Sequence, residues 1–293
     1  MHTSPECLPC FLRQARHVAQ ITDCTAEVAA KLDQEAARLV QSFDLELSPP
    51  ENAVGLYRLL AERTGSPDPF AALKQTSNST AMGMLPRLRE IIANAADPLT
   101  SATRLAIAGN CIDYGAQQDF DVEEAIHQCL TQPPALDHFN WFRKKLARAE
   151  KILYLADNCG ELVFDRLLIE QLGKPVTLVV KASPIINDAL FADAEACGLT
   201  SICRVIDNTT GCPGTPLASC HPEFQQLFRE ADLIISKGQG NFETLSEISA
   251  PLFFLLLVKC PVVASHAAAR GARPPKSIKL GDLLMLAPEA LTI

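Results

Sequence analysis

The sequence predicts an α/β protein in which an all-helical domain, residues 1–148, precedes a doubly wound parallel-sheet domain, residues 149–293. Two observations carry this reading: the apolar pattern changes its period near Glu150, and every apolar run beyond that point ends in a polar or glycine-containing turn. In the first half, Leu12, Ala15, Val18 and Ala19 keep helical spacing, as do Val28, Leu32, Ala36 and Leu39. Pro49-Pro50, Ser66-Pro67-Asp68-Pro69, Asp97-Pro98 and Pro133-Pro134 fit helix boundaries better than interiors, because proline lacks the amide donor and clashes with the preceding turn. Six or seven helices are expected there, with no strand-like alternation.

In the second half the apolar runs are Lys151–Ala156, Val176–Val180, Cys203–Ile206, Leu233–Ser236 and Leu252–Val258. Their intervals of roughly 20 to 30 residues suit strand–helix–strand units with right-handed crossovers. Parallel strands are covered on both faces and so read as continuous apolar stretches. The stretch from Ala267 to Ile293, with Arg270, Arg273 and Pro274-Pro275, is expected to form a loop over the cleft or a surface tail.

The 293 residues carry a net charge of −8, with 20% charged and 48% hydrophobic residues, which excludes collagen, coiled coil and wholesale disorder. No block of Lys and Arg offers a footprint for nucleic acid or an anionic membrane. Met1–Arg13 lacks the pattern of a secretory leader, and Pro251–Val258 is far short of the ~20 apolar residues a spanning helix needs. A cytoplasmic location follows as the expectation. The eleven cysteines are then free thiols, mostly small core residues. Oligomeric state is not legible.

Ligands of an open parallel sheet bind beyond the carboxyl ends of its strands. The residues there are Asp157-Asn158-Cys159-Gly160-Glu161, Asn187-Asp188 reached through Lys181 and Pro184, Asp207-Asn208-Thr209-Thr210-Gly211, and Lys237-Gly238-Gln239-Gly240-Asn241. Asp157, Asn158 and Asp188 supply hard oxygen donors that suit Mg²⁺, Mn²⁺ or a similar divalent ion and suit zinc poorly. Lys237 adds a charge for phosphate, and Gly211, Gly214, Gly238 and Gly240 allow backbone amides close to an anion. In the helical half, Asn110 and Asp113 interrupt an apolar helix and are candidates to line the cleft between domains.

Asp-Asn after a strand is also a common helix cap, Asn187-Asp188 can cap the helix that follows, and Lys237-Gly238 can be an ordinary turn. The conjunction of four polar strand ends favours a metal and phosphate site. Cys7-x-x-Cys10 has no second Cys or His pair to complete a zinc site and reads as packed thiols on the first helix. Cys159 has no evident histidine partner, and the six histidines form no metal-binding spacing.

Together, Cys7-Leu8-Pro9-Cys10 with Arg13-Gln14, Ala108-Gly109-Asn110-x-Ile112-Asp113, Asp157-Asn158-Cys159-Gly160-Glu161, Pro184-x-x-Asn187-Asp188-Ala189 and Lys237-Gly238-Gln239-Gly240-Asn241-Phe242-Glu243 resemble the DUF89 family of metal-dependent damage-control phosphatases. The likeness is to its prokaryotic branch, which carries the N-terminal cysteine pair, and runs from residue 7 to about 266. The resemblance implies a Rossmann-like α/β domain under the helical domain, a divalent metal (Mn, Co, Ni or Mg) in the cleft, and hydrolysis of small phosphorylated metabolites such as sugar phosphates. It implies Asp157, Asn158 and Asp188 as metal ligands, Lys237 as a phosphate contact, and Glu161, Asn110, Asn241 and the Gly211 loop around the substrate. The Asp207–Gly211 loop departs from the smaller residues of relatives.

The expected activity is metal-dependent phosphatase chemistry, with water preferred over Asp157 as nucleophile because the Asp-x-Asp pair of haloacid-dehalogenase phosphatases is absent. Two alternatives compete. A carboxyl methyltransferase using S-adenosylmethionine would need a glycine-rich nucleotide turn, which Asp157–Gly160 supplies poorly. A non-catalytic metal or phosphometabolite-binding protein would use the same residues without turnover.

Overall fold

A computed structural model describes residues 1–112, 122–271 and 277–291. Its first half contains α1 (Leu8–Ile21), α2 (Ala26–Gln41), α3 (Pro49–Thr64), α4 (Ala71–Ala93), α5 (Pro98–Ile112), α6 (Val122–Thr131) and α7 (Phe139–Arg148). The proline pairs act as their chemistry dictates. Pro49-Pro50 opens α3, where missing amides cost nothing, while the Ser48 N–H donates to Glu51 Oε2 at 3.0 Å. Asp97 Oδ1 accepts from the Thr100 N–H at 3.2 Å at the start of α5. Gly65 ends α3 in the left-handed region at φ +68°.

The second half alternates β2 (Ile152–Leu155), α8 (Leu162–Leu172), β3 (Val176–Val180), α9 (Phe191–Ala196), β4 (Arg204–Asp207), α10 (Pro222–Glu230), β5 (Leu233–Lys237), α11 (Gly238–Leu245), β6 (Leu252–Leu257), α12 (Pro261–Gly271) and β7 (Leu283–Leu286). All five apolar runs are strands. A further two-residue strand, β1 (Leu136–Asp137), precedes α7 inside the half expected to be purely helical. The sheet order is β1-β7-β6-β5-β2-β3-β4, parallel throughout except that β7 runs antiparallel to β6. Two expectations are thereby corrected. The C-terminal stretch is no surface tail: it continues α12 and then supplies β7, all four residues of which are buried. Strand content also reaches back before residue 148, because Ala135 and His138 donate their amides to Leu283 and Met285 at 2.9 Å each.

The apolar clusters divide the chain elsewhere than at residue 148. Helices α1–α3 close on Phe11, Val18, Leu32, Leu56 and Leu60, joined by Phe70 and by Ile185 from the loop after β3. Helices α4–α7 instead share one cluster with α8 and with β2, β3, β5 and β6. Phe142 of α7 stacks on Phe253 of β6 at 4.5 Å and 14°, a pairing worth about 0.5–1.5 kcal/mol beyond its buried area. Helix α5 lies against α8, and a Cβ at Gly109 would meet Glu161 Cγ and Phe164 at 3.0 Å. On the opposite face, α10, α11 and α12 bury Phe224, Phe228, Phe242, Leu245 and Val263.

The chain leaves β2 toward β3 and β4 on one side and returns through β5 on the other. The β2/β5 junction is therefore the topological switch point, where the loops after two adjacent strands diverge and leave a crevice. No described helix is long and apolar enough to cross a membrane.

Candidate active site

Asp157 and Asn158 follow β2, and Lys237-Gly238 ends the adjacent β5, so the switch point brings them together. Asp188 arrives by a backbone device. Asn158 and Asp188 face each other in an antiparallel bridge, in which the Ala189 amide donates to the Asp157 carbonyl at 2.8 Å and the Cys159 amide to the Asn187 carbonyl at 3.0 Å. The turn into this bridge puts Ile186 at φ +47°, a region costly for a β-branched residue. Asp157, Asn158 and Asp188 are thus adjacent, as the strand-end rule anticipates.

Side-chain amides orient the set. Asn110 Nδ2, from α5, donates to Asp157 Oδ2 at 2.9 Å and Glu161 Oε2 at 3.0 Å. Asn158 Nδ2 donates to the same Asp157 oxygen at 3.0 Å and to Glu161 Oε2 at 3.4 Å. Among described residues, Asp157 Oδ1 and Asn158 Oδ1 receive no hydrogen bond, and Asp188 Oδ2 and Asn110 Oδ1 are buried without one. Buried acceptors without donors are rare and mark places where something else supplies the charge. Burial and then the Glu161 charge push the Asp157 carboxyl up, against Lys259, Lys181 and Lys237. Burial, partly offset by Lys181 and reinforced by Asp157, pushes Asp188 up to about 8.

Lys237 occupies a different position from the one its sequence context implies. Its ammonium is fully buried, ion-paired to Glu161 and at 2.6 Å to Asp165 Oδ1, the same oxygen that accepts from the Tyr154 hydroxyl at 2.6 Å. Burial pulls its pKa down, yet Asp165 and Glu161 together raise it above the ordinary lysine value, so it stays charged. A phosphate cannot reach an ammonium sealed between two carboxylates. Where a direct phosphate contact was expected of Lys237, the geometry instead pairs its ammonium with Glu161 and Asp165. Glu161 is likewise fully buried and acts on the site through Asn110 and Asn158.

Other carry-overs resolve into scaffold. Asn241 donates both of its amide protons to the protein, to the carbonyls of Ala156 and Lys237 at 3.0 and 2.9 Å, and accepts from Thr215 Oγ1 at 2.8 Å. Gly240 is a glycine because a Cβ there would strike the Pro213 carbonyl, and a Cβ at Gly214 would meet the Gly240 carbonyl at 2.6 Å. Gly211 packs against Ser183 and lines the cleft below. Gly238 combines φ +74° with direct apposition of the Asp157 carboxylate. Asp113 lies outside the described residues.

Two cations were not singled out from sequence. Lys181 Nζ sits 3.6 Å from Asp188 Oδ2 and donates to the Gly214 carbonyl at 2.8 Å. Lys259 follows β6, is half-buried, and is the strongest cationic influence on Asp157. Both follow apolar runs directly, so the rule that found Asp157 points to them when applied to the residue after Val180 and to the fifth run. Cys159 is fully buried; Cys7 and Cys10 are free thiols, half-buried at the start of α1. Among described residues no three His, Cys, Asp or Glu side chains form a metal-holding group; the candidate set is two aspartates and an asparagine.

A doubly wound sheet with an acidic, amide-braced cleft at its switch point, covered by helices, defines a Rossmann-like α/β protein with the donor set of a hard-cation site. The model of the damage-control phosphatase ARMT1-like domain matches residues 3–273, and the chain belongs to that family, DUF89. The damage-control phosphatase PH1575 of Pyrococcus horikoshii is 36% identical over 272 residues, covering 90% of this chain and 93% of that protein. A damage-control phosphatase of Archaeoglobus fulgidus is 32% identical over 90% of this chain and 94% of its own length. The crystal structure of the P. horikoshii DUF89 protein superposes with a TM-score of 0.87 at 31% identity, covering 98% of this chain and 99% of that one.

Proposed function

We propose that this protein is a divalent-metal-dependent phosphatase of small phosphorylated metabolites, with Asp157, Asn158 and Asp188 holding the ion. The observation that carries the reading is the set of acceptor oxygens left without hydrogen bonds on three bridged residues, beside amide groups that hold them in place. Two buried carboxylates crowded together suit a hard dication, and Mn, Co, Ni or Mg fit the all-oxygen donors. When bound, such an ion neutralises phosphoryl charge and favours attack at phosphorus.

The chain's own groups do the rest. Asn110 and Asn158 fix Asp157 through one oxygen and leave the other without a hydrogen bond among the described residues. Lys181 and Lys259 place positive charge at the rim, where phosphate oxygens gain charge as the ester breaks. Water supplies the new oxygen–phosphorus bond, the ester oxygen leaves with a proton as the alcohol, and inorganic phosphate remains. Family membership and the phosphatase names of the relatives support this reading.

The test is hydrolysis of p-nitrophenyl phosphate by chelator-stripped protein given Mg²⁺, Mn²⁺, Co²⁺ or Ni²⁺ in turn, with Asp188→Asn as control. Metal-dependent phosphate release that the variant lacks is expected. Tight metal binding without turnover on any ester would make the protein a metal or metabolite binder instead.

A further inference from the structure

A cleft of about 240 Å³ lies between the α1–α3 layer and the loop that carries Asp188. One wall is Val54, Tyr57, Arg58 and Ala61 of α3 with the Pro67–Pro69 turn; the other is Ser183–Ile186 and Gly211. Ile185 is anchored in the core of α1–α3, so the wall bearing Ile186 is fixed only two residues before Asp188. The wall of the cleft therefore runs directly into the segment that carries Asp188.

Half of its lining residues are prolines, isoleucines and a tyrosine, and two carry charge. Asp68 is already neutralised: Lys74 Nζ is 2.6 Å from its Oδ2, and its Oδ1 accepts from the Phe70 amide at 3.1 Å. Arg58 is exposed and makes no ion pair or hydrogen bond with a described residue. An unpaired guanidinium at the wall of an otherwise neutral cleft is a fork for a carboxylate or a phosphate.

Resting on the phosphatase reading, we propose that this cleft receives the alcohol portion of the substrate, and that Arg58 selects phosphate esters whose alcohol carries a second anionic group. Phosphorylated hydroxy acids and bisphosphates fit this description, and neutral polyol phosphates do not. Charge-assisted hydrogen bonds of this kind discriminate by about 10- to 100-fold.

The experiment compares 3-phosphoglycerate with glycerol 3-phosphate on metal-loaded wild type, Arg58→Ala and Arg58→Lys, with p-nitrophenyl phosphate as an ester that lacks a second anion. The wild type is expected to favour 3-phosphoglycerate in kcat/KM. In Arg58→Ala that preference collapses by about tenfold or more, through KM, and Arg58→Lys restores part of it. An equal loss on both substrates, or a wild type without preference, overturns the subsite. The two readings separate cleanly. Turnover of p-nitrophenyl phosphate with no preference sinks the subsite alone. Arg58-dependent calorimetric binding of 3-phosphoglycerate without turnover of any ester keeps the subsite and sinks the phosphatase.

Discussion

The carboxylate of Asp157 lies against the Cα of Gly238, so close that a methyl group at position 238 would overlap it. The two residues end adjacent strands, and the positive φ of Gly238 lets the chain turn into α11 without displacing the acid. Gly238→Ala is expected to abolish hydrolysis while costing only about 1–3 kcal/mol of stability, since backbone strain of this type is of that size. Kinetics and thermal unfolding of one preparation check it. Retained wild-type turnover would mean the apposition does not position Asp157.

Lys237 is ion-paired with both Glu161 and Asp165, and all three side chains are fully buried. Removing one partner of such a group leaves uncompensated buried charge, so Lys237→Met should destabilise by about 3–5 kcal/mol. Chemical denaturation at pH 8 reads the loss. A variant as stable as the wild type would show that the triad is held neutral.

Asn110 touches Asp157 and Glu161 but, in this reading, not the ion. Asn110→Ala should weaken metal affinity about 10- to 100-fold, the usual effect of removing an orienting partner. Metal titration by calorimetry, with unfolding followed alongside, separates this from a folding defect.

Glu243 on α11 is buried, which pushes its carboxyl up to about 7 despite the Gln239 amide and the N-terminal ammonium, with the Asp157 charge pushing the same way. A raised carboxyl binds its proton more tightly in the folded state. Its contribution to stability is present below about pH 4.5 and fades as pH rises toward 7. Glu243→Gln keeps an acceptor for Gln239 and cannot ionise. The variant should gain on the wild type between pH 4.5 and 8, by on the order of 3 kcal/mol. Denaturation of metal-free protein across that range measures the difference, and parallel curves would contradict it.

Legibility in the sequence followed the physics of each element. Four of the five expected strands were legible because strands buried on both faces must be apolar at nearly every position, as in Leu252–Leu257, while β4 lies half-exposed at the sheet edge and showed only Val205 and Ile206. Asp157, Asn158 and Asp188 were legible because strand ends of a parallel sheet share one rim. Strand β1 was not, since two residues carry no periodicity. The partition of α4–α7 onto the sheet was hidden for a related reason: helical spacing states which face is buried and not what covers it. Lys237 misled because lysine next to glycine reads as solvated. One of its two partners, Asp165, sits between Leu162-Val163-Phe164 and Leu167-Leu168, where sequence offers no hint of an internal ion pair.

Leu136 and Leu284 stand side by side in the sheet, although one precedes α7 and the other follows α12. During synthesis the faces of Leu252–Leu257 can be covered by α7 and α11 and one edge by its neighbour β5, but the strand's other edge keeps open hydrogen-bonding groups until β7 is made. Only when residues 283–286 emerge can that edge be sealed and residues 136–137 dock behind them. Sealing of that strand edge thus waits for residues 283–286, and a chain stopped shortly before residue 283 would present an open strand edge to other chains.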